Sequence, residues 1–212
     1  PYYPIRTGYT ATFKDSFNSL VDGKPTVDHY TSRVTEVGAT SAKIDMSLAS
    51  SGLHSSQEIT CTDGVLGARA YVDLAGGNQA FKIETVSASG EYLPRDLIVG
   101  STWQQSYTIV MRSAATSPSG TVGKVPDIHA TVTIDHQAIK EESVKVPSGT
   151  YTAMVVVSHM NMKLDTVGGN GVSAQIPGVQ FTSTEWWVRG VGLVKAQTQT
   201  SGGYTALAEA ET

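Results

Sequence analysis

Apolar and polar residues alternate with a period of two along most of this chain. The clearest run is 40–48, where Ala42, Ile44, Met46 and Leu48 fall on one side and Lys43, Asp45 and Ser47 on the other. Near the start, Tyr9, Ala11 and Phe13 alternate with Thr10, Thr12 and Lys14; further on, Ile128, Ala130, Val132 and Ile134 alternate with His129, Thr131, Thr133 and Asp135. Successive side chains of a strand point to opposite faces, so this pattern predicts strands with one buried side. Residues 26–37 read as a long, mostly polar strand, and 56–62, 64–74 and 79–86 as three shorter ones. Turn chemistry at Asp22-Gly23-Lys24-Pro25, Asp63-Gly64 and Gly76-Gly77-Asn78 separates them. Residues 114–125 read as an exposed loop and 165–171 as another. Between them, Pro147-Ser148-Gly149 predicts a tight turn, followed by an apolar run, 154–157, suited to a strand covered on both faces. The tail alternates from Tyr204 to Ala210 and reads as a last strand.

Short, glycine-bearing connections suit antiparallel neighbours and not parallel crossovers. The expectation is therefore an all-β fold, an antiparallel sandwich or curved half-barrel of about twelve short strands, forming one domain over residues 1–212. Residues 93–112 weakly restate the opening, with Gly100 over Gly8, Thr102 over Thr10 and Trp103 opposite Ala11. A duplicated meander, with halves 1–92 and 93–212, would explain that.

Residues 183–198, STEWWVRGVGLVKAQT, hold the densest group of large and β-forming side chains. Trp186, Val188, Val191, Leu193 and Val194 make the apolar set, and Glu185, Arg189, Lys195 and Gln197 the wet side. Gly190 and Gly192 divide the run into two strand pieces and read as a structural bend that curves the sheet. The adjacent Trp186 and Trp187 must face opposite ways, which leaves one to cover a second layer, a ligand or a neighbouring subunit.

Composition narrows the field. Charged residues make up 16% of the chain, against roughly 25% in soluble domains at large, as suits a secreted or surface protein. A net charge of -4 with no Lys/Arg cluster argues against nucleic acid as a partner. No apolar run is long enough for a transmembrane helix. Cys61 is the one cysteine and reads as a small buried hydrophobe. Pro1 in place of methionine suits a mature, extracytoplasmic chain whose signal peptide has been removed, and suits initiator trimming equally.

Chemistry is harder to find. No nucleophile elbow, Cys-x-x-Cys pair, Walker loop or zinc-protease helix occurs. His29, His54, His129, His136 and His159 are scattered singly, and His129 and His136 lie on opposite faces of one strand. Asp127, His129 and Asp135 share a polar face and read as solvated. Asp15, Glu141 and Glu142 have nothing in sequence to raise their pKa. No catalytic residue, metal site or cofactor is assigned, and the chain reads as a non-enzyme.

Three segments, Tyr2-Tyr3-Pro4-Ile5 with Gly8, Val146 to Tyr151, and Glu185-Trp186-Trp187-Val188 with Gly190 to Lys195, resemble exported bacterial lipoprotein-like β proteins. Those proteins open on YYPL-x-x-G and close on EWY-x-x-GVGLVK, and carry no agreed activity. The resemblance implies an exported β fold, such as the curved half-barrel of lipoprotein carriers. Ala11 departs from it, since an aromatic is expected there.

Two readings follow. In the first, the chain is a structural subunit of a cell-surface or extracellular filament whose copies join by β-strand addition. Tyr2, Tyr3, Ile5, Tyr9 and Phe13 would form the donor strand, with Tyr204 in the second candidate and Trp187 at the subunit interface. In the alternative, it is a periplasmic or surface carrier holding an apolar ligand in a curved sheet lined by Trp103, Met154, Phe181 and Trp186.

Overall fold

In a computed structural model the described residues are 2–3, 5–18, 24–50, 54–62, 65–76, 79–113, 127–167, 173–201 and 204–212, with side chains left out at 62, 65, 68–76, 79–81, 113, 165–167 and 173–177. Twelve strands follow one another: β1 (Thr10–Asn18), β2 (Pro25–Val37), β3 (Ser41–Leu48), β4 (His54–Thr62), β5 (Val65–Gly76), β6 (Gln79–Gly90), β7 (Thr102–Ser113), β8 (Ile128–Val146), β9 (Gly149–Val167), β10 (Ser173–Val188), β11 (Gly192–Thr200) and β12 (Thr205–Ala210). Each pairs antiparallel with the next, and β1 pairs with β12. The fold is thus all-β, an up-and-down meander that goes past a half-barrel and closes. Closure gives every strand a partner on both sides around the barrel wall.

The predicted turns at 22–25 and 76–78 fall mostly outside the described residues, as do Asp63-Gly64 and the loop at 114–125. The strands flanking Asp63-Gly64 do pair directly, Thr62 opposite Val65. Residues 128–146 form one strand through a bulge between Ala138 and Lys140. Beyond its last pairing with β10, the β8–β9 hairpin continues alone. Its turn then crosses to β12, where the Ser148 N–H donates to Ala210 O at 3.0 Å. Met154, Val155 and Val156 are all buried, as their continuous apolar run predicts.

The end of the barrel where β1 begins and β10 finishes is filled by side chains. Tyr2 is buried there and its O–H donates to Leu97 O at 3.4 Å. The Tyr3 ring lies 6.2 Å from Trp187, and Tyr9 O–H donates to Val191 O at 2.9 Å, across 182 positions of sequence. Ile5 packs on the same core, with Leu93, Leu97 and Trp187. Phe13 stacks on Tyr30 at 4.7 Å, and Tyr204 sits 6.5 Å from Phe17 near the opposite end. Of the first candidate donor segment only residues 10–13 lie in a strand, β1, and that strand pairs with the second candidate inside one barrel from Phe13, opposite Ala210, onward.

Three local readings change. Trp187 is the inward tryptophan, 1% exposed, while Trp186 lies on the outer face. There its indole N–H donates to Glu142 at 2.7 Å under the Lys195 ammonium, 5.3 Å from the ring. The chain does not bend at Gly190 and Gly192 but reverses, since Val188 pairs with Gly192 across a hairpin whose Gly190 has φ of 79°. Positive φ of this kind is open to glycine at little cost. Glu185, placed by sequence on the wet side, shares the inner face with Trp187.

Gly8 and Gly100 are used alike. Gly8 N–H donates to Val34 O and Gly100 N–H to Ala138 O, both at 2.8 Å. Val34 N–H and Ala138 N–H return bonds to Tyr9 O and Ser101 O, both at 2.9 Å. A bulge follows in each case, between Val34 and Glu36 and between Ala138 and Lys140.

Candidate functional site

Antiparallel partners share a face, so register alone identifies rows that run around the inside of the barrel. One row is Phe181, Met160, Ile134 and Gln105, on β10, β9, β8 and β7. The next is Thr198, Ser183, Ser158, His136 and Trp103, on β11 to β7. A third is Asp28, Asp15, Ala208, Ala196 and Glu185, on β2, β1, β12, β11 and β10. An apolar row, a hydroxyl-and-imidazole row and an acidic row thus lie side by side.

The first row, the second as far as His136, and Glu185 of the third line a partly open cavity of about 390 Å³, to which Gln57, Thr85, Tyr92 and Tyr107 also contribute. A smaller cavity of about 100 Å³ adjoins it at Gln57 and Tyr92 and reaches Ala11, Phe13, Tyr30 and Trp187. Ala11, the departure from the aromatic of the resembling proteins, lies at the space such a ring would occupy.

His136 is the best-defined polar group of the larger cavity. It is 8% exposed, its ring is stacked on Trp103 at 5.0 Å, and Nδ1 is hydrogen-bonded to the Ser158 hydroxyl at 2.7 Å. Its Nε2 is buried and has no partner among the described residues. Burial lowers its pKa to about 4, against a smaller opposing pull from Asp135, so the imidazole is neutral at pH 7. A buried ring nitrogen without a partner costs stability unless a ligand or water meets it.

Glu185 accepts from the Trp187 indole N–H at 2.9 Å and the Ser183 hydroxyl at 3.5 Å. Desolvation nevertheless raises its carboxyl above the ordinary range. Asp15 is raised in the same way, by burial and then by the neighbouring Asp28. Asp28 is lowered, mainly by the Ser50 hydroxyl, which donates at 2.5 Å, with help from the His29 and Ser50 N–H groups. Burial, then Asp15, Tyr3 and Glu185, push the Tyr30 phenol up. Burial also raises Tyr92, with Tyr3 and Glu185 adding to it.

Of the four residues expected to line an apolar site, Phe181 does so. Trp103 supports His136 from beside the wall, Met154 belongs to the packed core and Trp186 is outside. The polar set was not visible in sequence. Its only trace is that Phe181, Ser183, Glu185 and Trp187 share one phase of the alternation, which the competing phase of Trp186 and Val188 obscures. Asp127, His129 and Asp135 face outward, where Asp127 meets Arg112 at 3.5 Å and Asp135 accepts from Gln104 at 2.7 Å. No cluster of three potential metal ligands occurs among the described residues.

A closed antiparallel barrel of twelve strands around a cavity with apolar and polar sectors defines the class, an all-β up-and-down barrel. Two solved structures share the architecture. One is a protein from Bacteroides fragilis described as exported and of YmcC-like fold, 12% identical, with a TM-score of 0.57 over 99% of this chain and 96% of that one. The other is described as a lipoprotein, from Parabacteroides distasonis, 14% identical, with the same TM-score and the same coverage of the two chains. No family model matches the sequence, and no curated protein does. Among the described residues no helix is long and apolar enough to cross a membrane.

Proposed function

We propose that the protein is an extracytoplasmic carrier or binding module that holds an amphiphile, apolar along most of its length and polar at one end, inside the barrel. The observation that carries this reading is the cavity itself. Its volume of about 390 Å³ falls within the roughly 300–1,000 Å³ of small-molecule sites. Its wall joins Ile134, Met160 and Phe181 to a few polar groups, among them His136, Ser183 and Glu185. A wall so divided fits a molecule with an apolar body and a polar tip. The placement outside the cytoplasm is supported by the two proteins of like fold, one described as exported and one as a lipoprotein.

The test has two arms. Protein purified without detergent is extracted with organic solvent and the extract analysed by mass spectrometry. The stripped protein is then titrated with dodecanol, and the Ser158→Phe variant, which drives a ring into the cavity, is titrated beside it. Saturable one-to-one binding that the variant loses is the expected result. An empty extract together with no saturable binding would refute the proposal.

A further inference from the structure

The carrier reading leaves open what sits at the polar end of the ligand, and the charges inside the barrel bear on it. The register puts Asp15, Asp28 and Glu185 on one inner row. Neither cavity is lined by a lysine or an arginine among the described residues. Cations near this part of the wall are spent on the outer face: Lys195 lies over Trp186 and pairs with Glu209 at 3.2 Å, and Lys140 pairs with Glu142 at 2.7 Å. The wall of the larger cavity therefore carries one carboxylate, Glu185, and no basic counter-charge among the described residues, with Asp15 and Asp28 farther along the same row. A desolvated carboxylate in that setting favours either a proton or a bound cation.

The surrounding side chains suit the cation. Tyr92, Tyr107 and Phe181 line the same cavity as Glu185, and aromatic faces attract organic ammonium groups, more strongly when both are shielded from water. His136 is neutral, and in the tautomer whose Nδ1–H donates to Ser158 its Nε2 offers a lone pair to an ammonium N–H. An anionic head would meet Glu185 and find no basic residue in the wall. A neutral hydroxyl would satisfy His136 and leave Glu185 uncompensated.

From this geometry, and resting on the carrier reading, we infer that the ligand is a cationic amphiphile, an alkyl amine or ammonium compound whose head sits between Glu185, His136 and the rings of Tyr92, Tyr107 and Phe181.

The experiment measures binding of dodecylammonium, dodecanol and dodecanoate by calorimetry at pH 7 and low ionic strength, to the native protein and to Glu185→Gln. The expected result is dodecylammonium bound at least about tenfold more tightly than dodecanol, and dodecanoate more weakly than either. In Glu185→Gln the preference for the ammonium falls to within about threefold, and a native-like far-ultraviolet circular dichroism spectrum with a cooperative urea melt shows that the variant is folded. His136→Leu is expected to weaken dodecylammonium more than dodecyltrimethylammonium, which has no N–H to give. Equal binding of the three amphiphiles, or a preference that survives in Glu185→Gln, overturns the cationic assignment and leaves the carrier reading standing. No binding of any of them overturns both.

Discussion

Trp186 and Trp187 are adjacent in sequence and differ in almost everything else, which makes their truncation a direct test of how the barrel is phased. Trp187 is fully buried between Tyr3 and Tyr92, whose rings lie 6.2 Å and 6.1 Å away. Replacing a buried tryptophan by alanine costs about 3–5 kcal/mol. The change also removes the indole N–H from Glu185, and leaving a buried acceptor without its donor costs about 1–3 kcal/mol more. Some of the loss is shared between the two effects, so Trp187→Ala should destabilise by about 4–6 kcal/mol. Trp186 is half-buried on the outer face. Its losses are a cation–π contact with Lys195, about 0.5–1 kcal/mol, a hydrogen bond to a solvent-screened Glu142, about 1 kcal/mol, and the packing of a half-buried ring on the cluster of Val144, Ala153, Val188 and Val194, about 1 kcal/mol. Trp186→Ala should therefore cost about 2–3 kcal/mol. In urea melts followed by far-ultraviolet circular dichroism, with a slope of about 2 kcal/mol/M, the midpoints should fall by about 2–3 M for Trp187→Ala and about 1–1.5 M for Trp186→Ala. A total stability of about 5–15 kcal/mol leaves room for Trp187→Ala not to fold. Trp187→Phe, which keeps a ring and loses the N–H, should then fall between the two. Equal losses, or a larger loss at Trp186, would mean that β10 faces the other way.

Acid stability offers a second test. Protonation of His136 occurs at about 4 in the folded chain and about 6.5 in the unfolded one. The unfolded state thus takes up the proton first, and stability falls as pH drops from about 6.5 to about 4, by up to about 3 kcal/mol. His136→Gln should remove that part of the acid limb in melts recorded across this range. Glu185 has the opposite sign: its raised folded pKa makes protonation favour the native state, so Glu185→Gln should steepen the loss of stability on acidification. Ala11→Leu extends into the cavity of about 100 Å³. At about 24 cal/mol per Å³ of cavity the ceiling is about 2 kcal/mol, and a gain of about 1 kcal/mol in midpoint-derived stability is expected. Tyr9→Phe deletes the bond to Val191 O and should cost about 1 kcal/mol, read from the same melts.

Much of the architecture is legible in the order of residues. Alternation at 9–13, 40–48 and 128–134 is a local property, and any sheet with one buried face requires it. Turn chemistry at Pro147-Ser148-Gly149 is local too, and β8 and β9 do pair across it, Val146 opposite Gly149. Gly8 and Gly100, aligned in the weak likeness of residues 93–112 to the opening, make matched backbone bonds.

The tertiary structure decided the rest, because a period of two defines two faces without saying which is inside. In β10 both phases are apolar, Trp186 with Val188 and Phe181 with Trp187. Only the partners settle the choice: Glu142 and Lys195 wait outside for Trp186, and Tyr3 and Tyr92 inside for Trp187. The acidic row has the same origin. Asp15, Asp28 and Glu185 are far apart in the chain, and neither their shared inner face nor the burial that raises Asp15 and Glu185 exists until β1 closes on β12.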